Sequence, residues 1–242
     1  MEQKLRLLLV GYGRMGRLIE ALSPEYGCEV AGHLDDTNNL QGEGLQPDRW
    51  RDVDVAIDFS LAPAFLENLP RLLALGVNLV VGTTGWQARE AEVRRAVADA
   101  DVGAVVAANF STGVNLFEAL VEYAGTLLAG QPDYGAWVHE MHHSAKKDRP
   151  SGTAVALEGA LRRAGYDRPV DVASTRAGSM PGTHAVGFDG PSESITLTHA
   201  TRDRATFARG ALQAARWVNG RRGWFTMRDV LGIRSPGASG SD

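Results

Sequence analysis

Short, continuous apolar runs recur along the first part of the chain: LRLLLV at 5–10, CEVAGHL at 28–34, DVAIDF at 54–59, VNLVVG at 77–82 and VGAVVAA at 102–108. Unbroken apolar character, rather than alternation, is what a parallel strand covered on both faces requires. Between these runs, 14–23, 62–75 and 87–100 repeat apolar positions at helical spacing. Pro70 inside the second predicts a kink or break, because proline removes an N–H from the helix ladder. Strands alternating with helices predict an α/β fold whose N-terminal part is a Rossmann-like, doubly wound parallel sheet.

After Asn109 the rhythm changes. A helix is expected over 113–129, a strand over 134–141, a polar loop, then a second helix over 152–164. Strand-like segments at 170–176, 184–188 and 193–199 follow without helices between them, and a last helix covers 205–219. This half predicts a smaller α+β domain with an open mixed or antiparallel sheet. The expected division is 1–111 plus 212–242 for dinucleotide binding, and 112–211 for substrate binding and oligomer contacts. The ending SPGASGSD lacks an apolar anchor and is expected to be disordered.

Composition narrows the partners. The net charge of −4 provides no basic field, so nucleic acid is not an expected partner. No apolar run approaches the roughly 20 residues that span a bilayer, and no signal-peptide pattern opens the chain, so no membrane partner is expected. Cys28 is the only cysteine, which excludes an intramolecular disulfide and fits a cytoplasmic protein. Among 25 basic residues only Lys4, Lys146 and Lys147 are lysines. Either the bias towards Arg is genomic or thermal, or Lys is retained where a compact ammonium is needed in place of Arg's planar fork; the second reading draws attention to 146–147.

Gly11-Tyr12-Gly13-Arg14-Met15-Gly16 follows the first strand and opens a helix. Glycines there permit a tight turn and close backbone approach to a pyrophosphate, while the helix N-terminus supplies N–H groups. Asp35 and Asp36 stand about 20 residues on, where a carboxylate accepts from ribose hydroxyls. A carboxylate repels a 2′-phosphate, and no Arg or Lys follows Asp36 before Leu40. NADH is therefore the expected cofactor, with NADPH as the alternative and Arg14 the nearby cation that softens the choice. Gly82, Thr83 and Thr84, and Ala107, Ala108, Asn109 and Phe110, end two further strands where such a sheet presents its ligand crevice.

The stretch His139-Glu140-Met141-His142-His143-Ser144-Ala145-Lys146-Lys147-Asp148-Arg149-Pro150-Ser151-Gly152-Thr153 holds three of the six histidines and two of the three lysines. His139-Glu140-Met141-His142-His143 satisfies the zinc-protease pattern H-E-x-x-H, which needs a helix to bring both histidines to one face. The preceding YGAWV reads as strand, and alternation puts His139 and Met141 opposite Glu140. No metal ion is expected.

EMHHSAKKDRPSGTA resembles the signature E-x-H-H-x-x-K-x-D-x-P-S-G-T-A of the dihydrodipicolinate reductase family. GRMG, VAIDFS, GTTG, AANFSTGVN, RAGSMPGTHAVGF and ITLTHATRDRATFARGA extend the resemblance, in order, over nearly the whole chain. The glycine turn is one residue shorter than in many members, and the chain after the second strand is shorter too.

The resemblance implies NAD(P)H-dependent reduction of 4-hydroxy-tetrahydrodipicolinate to tetrahydrodipicolinate, with loss of water, in lysine and diaminopimelate biosynthesis. It implies His142 and Lys146 as catalytic proton donors. His143 with Lys146, and the Ser151, Gly152 and Thr153 amides that open a helix, are the expected cradle for a small dicarboxylate, and the resemblance implies a homotetramer built through the 170–199 sheet. Asp148 is expected to orient a neighbour, Glu140 to be structural, and His184 and His199 to be strand residues with satisfied hydrogen bonds. The competing readings are another NAD(P)H-dependent reductase of a small acid or imine, and a non-catalytic dinucleotide sensor. His142 and Lys146 in one loop argue against the second.

Overall fold

The computed structural model describes residues 3–234, so the tail expected at 235–242 lies outside the described residues. The described chain forms two compact units. One runs to Thr112 and resumes over Ala205–Gly232; the other is built on Gly113–Arg204.

In the first unit β1 (Leu5–Val10), β2 (Cys28–Leu34), β3 (Val55–Asp58), β4 (Asn78–Val81) and β5 (Gly103–Val106) form a parallel sheet, with β10 (Gly223–Phe225) on its edge. The strand order is β10-β5-β4-β3-β1-β2, so the winding reverses between β1 and β3. In an open α/β sheet a ligand crevice opens at such a reversal, beyond the carboxyl ends of the strands.

Alternate residues of each strand feed separate cores. Leu7, Leu9 and Ile57 pack with Ile19 of α1 (Arg14–Leu22) and with Ala211, Leu212 and Ala215 of α6 (Ala205–Val218). Leu8, Val10 and Ala56 pack with Phe65 and Leu72 of α2 (Ala62–Ala74) and with Val93 and Val97 of α3 (Glu90–Asp99). Cover on both faces is the reason the strands read as unbroken apolar runs.

Two expectations are corrected here. Helix α2 continues through Pro70 without a break. Pro70 is exposed, so the carbonyl one turn back that loses its partner can turn to water. The chain re-enters the first unit at Ala205 rather than at 212. A Cβ on Gly210 would lie 1.7 Å from the Phe110 carbonyl oxygen, so α6 lies backbone-close against the first unit and belongs to it whole. The short elements β10 and α7 (Met227–Val230) were not anticipated; three or four residues carry too little periodicity to register.

The second unit contains α4 (Thr112–Ala129), β6 (Gly135–His142), α5 (Gly152–Arg163), β7 (Val170–Arg176), β8 (Thr183–Asp189) and β9 (Ser194–Ala200). Its sheet has the order β7-β6-β8-β9. β6 and β7 run parallel and the other neighbours antiparallel, so the sheet is mixed. Phe117 and Val121 of α4 and Leu157 and Leu161 of α5 bury against Val138, Val186 and Phe188. None of the described helices is long and apolar enough to cross a membrane.

Candidate active site

The glycine turn of the first unit is shaped for a dinucleotide. Gly11 has φ +91° and lies so near β3 that a Cβ would stand 2.5 Å from the Phe59 carbonyl oxygen. A Cβ on Gly16 would come within 2.5 Å of the Gly11 carbonyl oxygen, which only glycine avoids. Gly13 meets nothing within 4 Å and stands at the N-cap of α1. That helix start has no side-chain cap and no acid in its first turn, so its N–H groups and dipole face an open approach suited to an anion. Tyr12 stacks on His33, with ring centroids 3.7 Å apart, and its hydroxyl bonds Glu20. Arg14 is exposed and Met15 half-buried beside them.

At the end of β2 the two acids differ. Asp35 Oδ1 accepts from the Thr37 amide at 2.9 Å and from the Thr37 hydroxyl, which hold its carboxyl below the ordinary range. Asp36 is exposed. Beyond β3 and β4, Asp58 Oδ1 accepts from the Ser60 amide (3.0 Å) and the Thr83 hydroxyl (2.6 Å), tying together two of the crevice loops. Burial pushes the Asp58 carboxyl up, against those same hydrogen bonds. Gly82 leaves room for the Phe59 ring, and Thr84 is exposed. Of the last loop, Ala108 is exposed, Ala107 and Asn109 are half-buried, and Phe110 is a core residue stacked edge-on against Phe59. Phe110 can therefore offer a ligand only its backbone.

In the second unit, β6 carries Glu140 and His142 on one face and His139 on the other. His139 Nε2 pairs with Thr175 Oγ1 at 3.0 Å, and His143 lies past the strand end. The two histidines of the H-E-x-x-H pattern therefore do not share a helical face. Glu140 is fully buried. Arg176, from the neighbouring β7, grips it with both nitrogens: Nη2 is 2.6 Å from Oε1 and Nη1 2.8 Å from Oε2. The Ser151 amide donates to Oε1 at 3.2 Å, and His142 Nδ1 bonds Oε2.

Burial alone would raise the Glu140 carboxyl, but the guanidinium, aided by Ser174 and His142, holds it down at about 2. Burial lowers the His142 imidazole below its usual value, and the Glu140 carboxylate opposes this. The neighbouring His184, on β8, has its ring centroid 5.0 Å from that of His142. Its Nε2 lies 3.1 Å from Ser151 Oγ. Burial, followed by the charge of His142, pushes it down to about 4.

Glu140, His142 and His184 offer atoms within 4.8 Å of one another, a spacing metal ions also use. Here both carboxylate oxygens are already taken by a guanidinium, a cation that opposes a second one. The expectation that His184 and His199 are satisfied holds only in part: among the described residues, Nδ1 of each is buried without a protein partner.

Lys146 Nζ sits 2.8 Å from Asp148 Oδ1, and this contact holds the Asp148 carboxyl low. Asp148 thus orients the lysine. The loop itself is pinned by Arg176 Nη2 on the Asp148 carbonyl at 2.6 Å and by the Lys146 amide on the His143 carbonyl at 3.1 Å. Ser151 caps α5, its Oγ accepting from the Ala154 amide at 3.2 Å. Gly152 is exposed with nothing within 4 Å of a Cβ, and Thr153 is half-buried. The first-turn amides of α5 thus open beside a histidine, a lysine and an ion pair, an arrangement whose chemistry suits holding an anion and moving a proton. Arg176 and His184 were missed because each lies well beyond the end of the signature loop in the sequence and reaches it only through strand pairing.

Two family models cover the chain: the N-terminus of dihydrodipicolinate reductase over residues 5–110 and its C-terminus over residues 113–231. A 4-hydroxy-tetrahydrodipicolinate reductase of Christiangramia forsetii is 34% identical, over 94% of this chain and 98% of its own length. Its counterpart in Methanoregula boonei is 42% identical over 74% and 75%. Among solved structures, a dipicolinate-bound dihydrodipicolinate reductase from Paenisporosarcina sp. TG-14 shares the fold, with TM-score 0.76 and 21% identity over 96% of this chain and all of that one. Both parts of the sequence and the course of the backbone lead to one placement: the chain belongs to the dihydrodipicolinate reductase family, dinucleotide-dependent oxidoreductases.

Proposed function

We propose that the chain is a 4-hydroxy-tetrahydrodipicolinate reductase, forming tetrahydrodipicolinate with loss of water for lysine and diaminopimelate synthesis. The observation that carries this reading is the short segment in which His142 bonds the buried Glu140 carboxylate, Lys146 pairs with Asp148, and α5 opens at Ser151. His143, Lys146 and the Ser151, Gly152 and Thr153 segment hold the substrate carboxylates. Loss of water leaves a conjugated ring imine; hydride adds at ring carbon 4, the electron pair moves towards nitrogen, and a proton completes the addition. His142 and Lys146 are the groups that supply it.

NADH, when bound, supplies the hydride. Gly11, Tyr12, Gly13, Arg14, Met15 and Gly16 hold its pyrophosphate, and Asp35 and Asp36 its adenosine ribose. The Gly82, Thr83 and Thr84 loop and the Ala107–Phe110 loop hold its nicotinamide half. The exposed Asp36 carboxylate supports NADH over NADPH, since it repels a 2′-phosphate. The reading includes a homotetramer, as the resemblance implies, and a cytoplasmic location, which the single cysteine of the sequence fits. NADH oxidation with and without substrate generated by the preceding synthase tests the assignment: turnover only with that substrate supports it, and binding of NADH without turnover favours a sensor.

A further inference from the structure

We infer that Glu140 and Arg176 are positioning residues of the reaction: together they lock the His142 ring so that Nδ1–H points inward to the carboxylate and Nε2 is its proton-transfer atom. This deepens the reductase reading and rests on it.

The geometry leaves Glu140 no freedom. Both oxygens are gripped by the Arg176 guanidinium, Oε1 also accepts from the Ser151 amide, and Oε2 meets His142 Nδ1. The side chains of Glu140 and Arg176 are 0% and 1% exposed, so water competes for neither. A carboxylate held by cationic and amide donors can only accept, so the shared hydrogen between Oε2 and Nδ1 must come from the imidazole. That fixes the neutral tautomer and leaves Nε2 with the lone pair. Gly182 clears the space beside that atom: a Cβ on it would stand 3.0 Å from Nε2.

Each charge facing the ring has a definite sign of effect. Arg176 and Lys146 disfavour imidazolium, His184 packs against the ring as a neutral base, and burial works in the same direction as the cations. Glu140 alone favours the protonated ring. Its carboxylate is what allows an imidazole in a desolvated pocket to take a proton on Nε2 and pass it on, the division of labour seen when a buried acid orients a catalytic histidine. Arg176 has a second task, since its hydrogen bond to the Asp148 carbonyl fixes the turn that carries Lys146. One guanidinium thereby sets the position of both proton-bearing groups.

The test combines ring 15N NMR of His142 in the NADH-bound wild-type enzyme with pH profiles of wild type and Glu140→Gln. The wild-type spectrum should show the Nδ1–H tautomer at neutral pH. The variant should lose kcat by on the order of tenfold or more, with the KM for NADH unchanged, and its kinetic limb for imidazolium should move to lower pH. A wild-type Nε2–H tautomer overturns the inference. So does a Glu140→Gln enzyme with a lowered Tm but unaltered kcat and pH profile, the result a purely structural ion pair would give. If Glu140→Gln does not fold, the wild-type tautomer decides alone. A wild-type protein that fails to oxidise NADH with the pathway substrate refutes the reductase assignment and leaves the tautomer measurement standing.

Discussion

His184 Nε2 on β8 lies 3.1 Å from the hydroxyl of Ser151, which also caps α5, so one side chain joins the centre of the sheet to the helix that opens the anion site. The imidazole pays for that position with its charge, being held down to about 4 from 6.5. Its folded value is depressed, so the unfolded chain takes the proton first. Stability should be greatest above pH 6.5, fall as the pH drops from 6.5 towards 4, and level off below. The full loss from this group is about 3 kcal/mol. Urea unfolding at pH 7 and pH 4.5 should show the larger part of it, and His184→Gln should remove that part; an equal pH response in the variant would contradict the assignment.

Glu140 contributes in a lower window. Its carboxyl falls from 4.5 unfolded to about 2 folded, so its stabilisation is complete above pH 4.5 and disappears as the pH falls through 2. Arg176→Ala leaves a buried carboxylate without its cation and should cost about 3–5 kcal/mol at neutral pH, measured by thermal and urea unfolding.

His142→Ala and Lys146→Ala should each reduce kcat by on the order of a hundredfold while NADH binding, followed by fluorescence titration, is retained. Undiminished turnover in both would sink the proposed roles. Ser151→Ala should raise the substrate KM more than it lowers kcat. The same change should remove about 1 kcal/mol of stability, because α5 loses its cap.

Cofactor choice depends on Asp36. Wild type should give the higher kcat/KM with NADH, and Asp36→Arg should shift the ratio towards NADPH by replacing a repelling charge with a fork suited to phosphate. Equal or better wild-type kcat/KM with NADPH would refute the reading.

Gly11→Ala tests the dinucleotide turn. The new Cβ would lie 2.5 Å from the Phe59 carbonyl oxygen, in a backbone conformation of φ +91° that alanine rarely adopts. Loss of NADH affinity together with a lower Tm is expected.

The sequence by itself determined what is local. Apolar runs located the five principal strands of the first sheet, because strands buried on both faces cannot alternate. The glycine turn was legible because its stereochemistry admits no other residue at Gly11 and Gly16. The signature loop was legible because its histidines, lysines and helix cap are adjacent in the chain.

Tertiary structure alone decided what pairing and packing bring together. Arg176 reaches Glu140 across the β6–β7 register, and His184 faces Glu140 directly across β6–β8, relationships that no linear spacing encodes. The uninterrupted α2 and the return of α6 to the first unit belong to the same class. Exposure of Pro70 and the contact of Gly210 with Phe110 are properties of the folded surface and core, and they outweigh local propensity once the chain has collapsed.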